Sequence, residues 1–178
     1  ARQAREVVKS HGVERAVFLC AGFRTGSTWL GGMLARNGIR DATKERFSSY
    51  ATTLRRASLE EKLEYLSESI ELAKCGPVFA TKIMVPHRNA FARAFSLDGT
   101  AAGLNQVFGA TSFIYLKRRD LIGQAVSFWR AKQSAQWHDA DYKEGRKFPE
   151  YNFKQLKLAL RELSSDNLNW EHFFGLSG

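Results

Sequence analysis

Between Gly22 and Thr28 the sequence reads Gly-Phe-Arg-Thr-Gly-Ser-Thr, directly after the apolar run Ala16 to Ala21. A buried strand entering a glycine loop that opens a helix leaves backbone N–H groups and hydroxyls at the positive end of the helix dipole. That arrangement cradles an anion, and Arg24 adds a cation inside the loop. A triphosphate-binding loop has four residues between its glycines, then Lys, then Ser or Thr. Here Gly22 and Gly26 enclose three, and Ser27 stands where the Lys would be. No G-x-G-x-x-G dinucleotide fingerprint occurs either. The loop therefore reads as an anion site of another kind, with Arg24, Thr25, Gly26, Ser27 and Thr28 as its candidate ligands.

A second candidate lies at Lys117-Arg118-Arg119-Asp120, before a helical pattern over Leu121 to Gln136 that Asp120 can cap. Arg119 and Ser127 are eight residues apart, about two helical turns, and can close on one phosphate beside the helix start. Two anion sites on neighbouring parallel strands suit a nucleotide with phosphate groups at both ends of its ribose, which ATP lacks. A kinase would share the layout, but the short first loop without Lys argues against one.

These sites need strands and helices to hold them. Residues 15 to 21, 77 to 84 and 112 to 117 read as short buried strands, each followed by a helical stretch. The first helix is expected to be capped by Ser27, to bury Trp29, Leu30, Met33 and Leu34 on one face, and to fade near Asn37-Gly38. Ser58 and Glu61 have capping-box spacing at the head of an amphipathic helix over 58 to 74. Residues 96 to 106 are small and glycine-rich and read as loop. Residues 138 to 150 are polar, interrupted by Gly145 and Pro149, and expected to be mobile. Helical periodicity returns over Asn152 to Leu163 and again over Leu168 to Phe174, with Trp170, Phe173 and Phe174 as core anchors. Alternating strand and helix predicts an α/β fold with a parallel sheet flanked by helices.

With 178 residues, 44% of them hydrophobic, the chain is expected to form one domain over 1–178. Its longest apolar run is far short of the roughly 20 residues that cross a bilayer, so a soluble, cytoplasmic protein without a transmembrane segment is expected. Cys20 and Cys75 lack metal-ligand spacing and read as reduced thiols at the core edge. The net charge of +9 is compatible with nucleic acid or with a polyphosphorylated nucleotide. The two anion sites point to the nucleotide, and no nucleic-acid partner is expected.

The R-T-G-S-T loop, the stretch R-R-D-L-I-G-Q-A-V-S-F-W-R-A-K-Q-S-A-Q-W and the N-W-E-H-F-F near the end resemble the bacterial trehalose sulfotransferase-like family, from about residue 15 to 174. The resemblance implies a P-loop-like sulfotransferase fold. It also implies transfer of a sulfonate group from 3′-phosphoadenosine 5′-phosphosulfate (PAPS) to a hydroxyl of a carbohydrate or glycolipid acceptor, with 3′-phosphoadenosine 5′-phosphate (PAP) as product and no metal. By position it assigns Arg24, Thr25, Gly26, Ser27 and Thr28 to the 5′-phosphosulfate, with Arg24 also the loop's catalytic cation. Arg119 and Ser127 fall to the 3′-phosphate. Glu45, beside Lys44 and Arg46 that would keep it charged, takes the place of the general base. Asp41 is the next carboxylate.

None of His11, His87, His138 or His172 falls in a recognisable motif. Lys82 matches the family's strand lysine and Trp137 its helix-end tryptophan. Phe23, Thr43 and Val85 stand where trehalose enzymes carry Gln, Pro and Trp, so trehalose itself is not implied as the acceptor. The family continues beyond Phe174 into another strand and further helices, so the resemblance implies a short protein or a lost C-terminal segment. A catalytically inactive PAP- or nucleotide-binding relative is the alternative reading. The oligomeric state stays open, a homodimer included.

Overall fold

The computed structural model describes residues 1–135, 137 and 150–175. Along the chain these form α1 (Arg2–Ser10), β1 (Arg15–Ala21), α2 (Ser27–Arg36), the short α3 (Ser48–Ala51) with a 3-10 turn at Thr53–Arg56, α4 (Leu59–Ala73), β2 (Lys74–Cys75) and β3 (Val78–Ile83). There follow α5 (Val85–Ala94), α6 (Ala101–Phe108), β4 (Ala110–Leu116), α7 (Leu121–Ser134) and α8 (Phe153–Gly175). The strands form one sheet in the order β2-β3-β1-β4. The central β1 runs parallel to both neighbours, and β2 is a two-residue antiparallel edge on β3. The fold is α/β with a mixed, mostly parallel sheet flanked by helices. The antiparallel edge, which strand-helix alternation does not predict, comes from the tight turn at Gly76 (φ 58°) and Pro77.

The register aligns Cys20 with Ile83 and Tyr115, so β1, β3 and β4 end at one level and release their loops on the same side. Because β1 is flanked on both sides by strands that follow it in sequence, that side is a topological switch point, where open parallel sheets bind ligands. Behind it, Phe18 packs between Phe47, Phe79, Phe108 and Phe113 with centroids 5.3–6.4 Å apart. Burying these rings supplies the main driving force for the domain. Trp170 and Phe173 are buried and Phe174 packs beside them, so α8 is anchored to the core through the aromatics expected to do so. No helix among the described residues is long and apolar enough to cross a membrane.

Four expectations about the elements are corrected. Residues 101–108 are helix rather than loop. Thr100 caps α6 by accepting from the Gly103 N–H, and Leu104, Val107 and Phe108 bury one face, which outweighs the small residues before them. The C-terminal helix is continuous over 153–175, because its buried stripe of Ala159, Leu163, Asn167, Trp170 and Phe173 runs at helical spacing through the expected break.

Helix α2 is capped not by Ser27 but by Gly26 in the left-handed region (φ 89°), and Ser27 is its first helical residue. Its apolar face is also not buried as expected, with Leu30 and Leu34 half-buried and the other two residues facing outward. Trp29 is 72% and Met33 42% exposed, while Ser27 and Gly31 are buried. The inward face must be small because a Cβ on Gly31 would lie 2.8 Å from the Ala42 carbonyl oxygen and 2.9 Å from Thr43. The expected mobility of residues 138–150 and the end of α7 at Gln136 fall on segments outside the described residues, Glu150 excepted.

Candidate active site

The loop after β1 is shaped from within. Arg24 adopts φ 60°, a left-handed backbone conformation uncommon for a side chain of its size, and the Thr25 hydroxyl donates to the Gly22 carbonyl at 3.0 Å. From beneath, the buried Gln124 of α7 donates to the Phe23 carbonyl at 2.6 Å. Since Gly26 caps α2, the N–H groups of the first helical turn have no partner within the helix and are open to an anion.

A cavity of about 760 Å³ opens over this turn. Of the residues singled out by the sequence, Arg24, Gly26, Ser27, Thr28, Glu45 and Ser127 meet on its walls, as do Lys82 and Trp137. Thr25 is not among the wall residues and acts through the loop's shape. Arg119 is exposed and is also absent from the wall, which takes Arg118 instead. Arg118 donates to the Arg24 carbonyl at 3.4 Å and lies 3.6 Å from Asp120, which caps α7 as expected by accepting from Gly123 N–H. The two candidate segments touch directly, because Arg24 Nε donates to Ser127 Oγ at 3.0 Å and a terminal nitrogen donates to the Trp137 carbonyl. Ser127 uses a lone pair for that bond, which leaves its own hydrogen available to a ligand.

Glu45 reaches the cavity from the segment between α2 and α3. The Lys44 carbonyl accepts from Lys82 N–H at 2.9 Å and from the Thr81 hydroxyl at 2.8 Å, and Arg46 N–H donates to Thr81 Oγ1 at 3.1 Å. Phe47 stacks on Phe91 with centroids 4.2 Å apart. Both peptide groups around Glu45 are thus tied to the end of β3, and its carboxylate is set beside Lys82 Nζ at 2.8 Å. Lys82 is the cation that pairs with Glu45. Arg46 is engaged with Asp41, and Lys44 is exposed.

The other carboxylate oxygen of Glu45 faces His87 Nδ1 at 3.7 Å. Burial lowers the His87 pKa from its ordinary 6.5; the Glu45 charge opposes that shift and the Lys82 charge adds to it. Sequence reasoning set His87 aside because no motif contains it. The residue belongs to the site only through the packing of α5 against the Glu45 segment, which no local pattern encodes. Lys82 sits at the β3 exit, and that position together with its match to the family's strand lysine marks it in the sequence.

Cations and the N-terminus of α2, at the carboxyl ends of parallel strands of an α/β fold, share one cavity with a carboxylate paired with lysine. The sequence matches the Stf0 sulphotransferase family over residues 16–178, and the chain belongs to that family. It is also 29% identical over 82 residues to trehalose 2-sulfotransferase of Mycobacterium tuberculosis (strain ATCC 35801 / TMC 107 / Erdman). That alignment covers 46% of this chain and 31% of the relative, so the chain matches about a third of that protein's length.

Proposed function

We propose that the protein transfers a sulfonate group from PAPS to a hydroxyl of a carbohydrate or glycolipid acceptor. The observation that carries this reading is one cavity whose walls Arg24, Arg118 and the α2 N-terminus share with Glu45, in a chain of the Stf0 sulphotransferase family. The donor set fits a nucleotide with two anionic ends. The open N–H groups of the first turn of α2, with Ser27, Thr28 and Arg24, suit the phosphosulfate. Ser127 suits the 3′-phosphate together with Arg119, with Arg118 beside them. When bound, PAPS supplies an activated sulfonate. Glu45 then takes the proton of the acceptor hydroxyl, and the N–H groups and guanidinium hold the charge that builds on oxygen.

The carbohydrate class of the acceptor rests on the trehalose 2-sulfotransferase relative and on a cavity rimmed by Phe23, Trp29 and Trp137, whose faces suit sugar C–H groups. The test is in two parts. PAP should raise the melting temperature while ATP at the same concentration does not, because a ligand specific for the native state stabilises it by mass action. A panel of disaccharides, glycolipids and small alcohols should then yield a sulfated product. Stabilisation by PAP without product from any acceptor would favour an inactive nucleotide-binding relative. Equal stabilisation by ATP would overturn the donor assignment.

A further inference from the structure

His87 sits in the first turn of α5 beside Glu45, off the cavity wall, with a side chain 11% exposed. Its Nδ1 is buried and has no hydrogen-bond partner among the described residues. Buried polar atoms are rarely left unpaired without a reason. Glu45 Oε2 lies 3.7 Å from His87 Nδ1, while Glu45 Oε1 is held by Lys82. The carboxylate therefore has a permanent cation on one oxygen and a basic nitrogen behind the other.

We propose that His87 is a positioning residue that receives, through Glu45, the proton lost by the acceptor hydroxyl. This rests on Glu45 being the base. The acceptor O–H bond breaks, its proton passing to Glu45 Oε2 and its electron pair forming the new S–O bond. The departing phosphate oxygen keeps the pair of the old S–O bond. A protonated Glu45 would leave the Lys82 ammonium, 6% exposed, without its counter-charge, and an unpaired buried charge is costly. Passing the proton to the lone pair of His87 Nδ1 restores the carboxylate between two cations. The 3.7 Å gap exceeds a hydrogen bond and closes with a side-chain shift of about 1 Å, as catalytic contacts do on ligand binding.

Among the described residues, the charged groups that act on the imidazole are Glu45 and, on β3, Lys82. The neighbouring Arg88 turns its guanidinium to Trp170 and Phe173 of α8, 4.9 and 4.8 Å from their centroids. Burial disfavours the imidazolium, so His87 is neutral at neutral pH, and the relay uses the tautomer that carries its hydrogen on Nε2 and accepts at Nδ1.

Histidine ring NMR on the chain without ligands provides a readout independent of turnover. His87 should titrate below 6.5, and lower still in Glu45→Gln, which removes the charge that favours its protonation. With a competent acceptor, His87→Gln should lower kcat about 10- to 100-fold. Acceptor KM, PAP binding and melting temperature should stay close to those of the parent. The part of the acid limb of the parent's kcat profile that His87 protonation sets should be lost in the variant, leaving only the limb that the base itself imposes. A His87 titration indifferent to Glu45→Gln, or a His87→Gln variant with unchanged kcat and acid limb, would overturn the relay. If Glu45→Gln loses turnover in that second case, Glu45 stands as base and only the relay fails. If Glu45→Gln keeps full kcat, both fall. A His87→Gln variant that loses kcat only in step with its melting temperature would make His87 a packing residue and also overturn the relay.

Discussion

On the β4 side of the cavity, Arg24 and Ser127 meet through one 3.0 Å hydrogen bond between partly buried side chains, and Arg118 reaches the loop through a 3.4 Å contact. On the β3 side, Glu45 is fixed by three backbone-anchored bonds and a 2.8 Å ion pair to a buried lysine. The first wall is a set of donors that a ligand can recruit. Arg24 and Ser127 can exchange their mutual bond for bonds to an anion at little net cost. The second wall holds one carboxylate in one place, as the proposed proton transfer would require, since a displacement of about 1 Å can cost two orders of magnitude in rate.

The sharpest way to break that contrast is to remove the chemistry of the fixed wall while leaving its shape. Glu45→Gln should lower kcat by a factor of about 100 to 10,000, roughly 3 to 5 kcal/mol of barrier, with PAPS affinity nearly unchanged. Single-turnover assay and calorimetric titration read the two effects separately. A change confined to acceptor KM would mean that Glu45 orients the acceptor and is not the base.

The recruitable wall should respond in affinity instead. Arg119→Ala should weaken PAP about 10- to 100-fold, the worth of a charge-assisted hydrogen bond, and leave adenosine 5′-phosphosulfate nearly untouched, because only PAP carries the 3′-phosphate. Arg118→Ala, on the cavity wall beside the Arg24 carbonyl, is the matched comparison. Equal losses for both ligands in Arg119→Ala, or a selective loss only in Arg118→Ala, would move the 3′-phosphate to the neighbouring arginine.

The same contrast explains how much could be read in advance. Strands β1, β3 and β4 are apolar runs between turn residues, and the Gly22–Thr28 loop and the Arg118–Ser127 stretch are each contiguous, so each half of the donor wall is written locally even though the halves meet across 103 positions. Lys82 and His87 meet Glu45 only because β3 and α5 pack against the Glu45 segment, contacts that span 37 and 42 positions of the chain. Whether Arg118 or Arg119 turns toward the cavity depends on how the chain leaves β4, and both look alike in sequence. Helix α2 misled for a related reason. Its apolar stripe of Trp29 and Met33 suggests a buried face, whereas the close approach of Ala42 and Thr43 reserves the inward side for Gly31.

That approach supplies a paired test of rigidity. Gly31→Ala would place a methyl 2.8 Å from the Ala42 carbonyl oxygen, whereas Gly32→Ala meets nothing within 4 Å. The first should cost about 1 to 2 kcal/mol, overpacking outweighing the gain in helix propensity, and should lower kcat by shifting the segment that carries Glu45 while PAP binding holds. The second should stabilise by about 0.5 to 1 kcal/mol. Denaturant unfolding of both variants is the measurement. Equal stabilisation by both would show that the Glu45 segment yields easily and is not the rigid wall described.

The smallest effect concerns the charge stored behind that wall. Arg88 is buried, and burial also pushes the Asp166 carboxyl of α8 up to about 6, with the Glu162 charge adding to the shift and the Arg88 charge opposing it. A carboxyl whose folded pKa lies above its unfolded 3.8 holds its proton more tightly in the native state, so its contribution to stability falls as pH rises from about 4 to about 6. Partial exposure of Asp166 reduces the effect to about 1 kcal/mol. Asp166→Asn should therefore be more stable than the parent by about that amount at pH 7 and level with it near pH 4. His87, with its lowered pKa, imposes the opposite slope, since stability is lost as pH falls below 6.5. That slope is common to both proteins and cancels in their difference, which urea unfolding at pH 4, 5.5 and 7 would trace. A difference that stays flat across the three would mean that Asp166 titrates normally and that the Arg88 charge is balanced elsewhere.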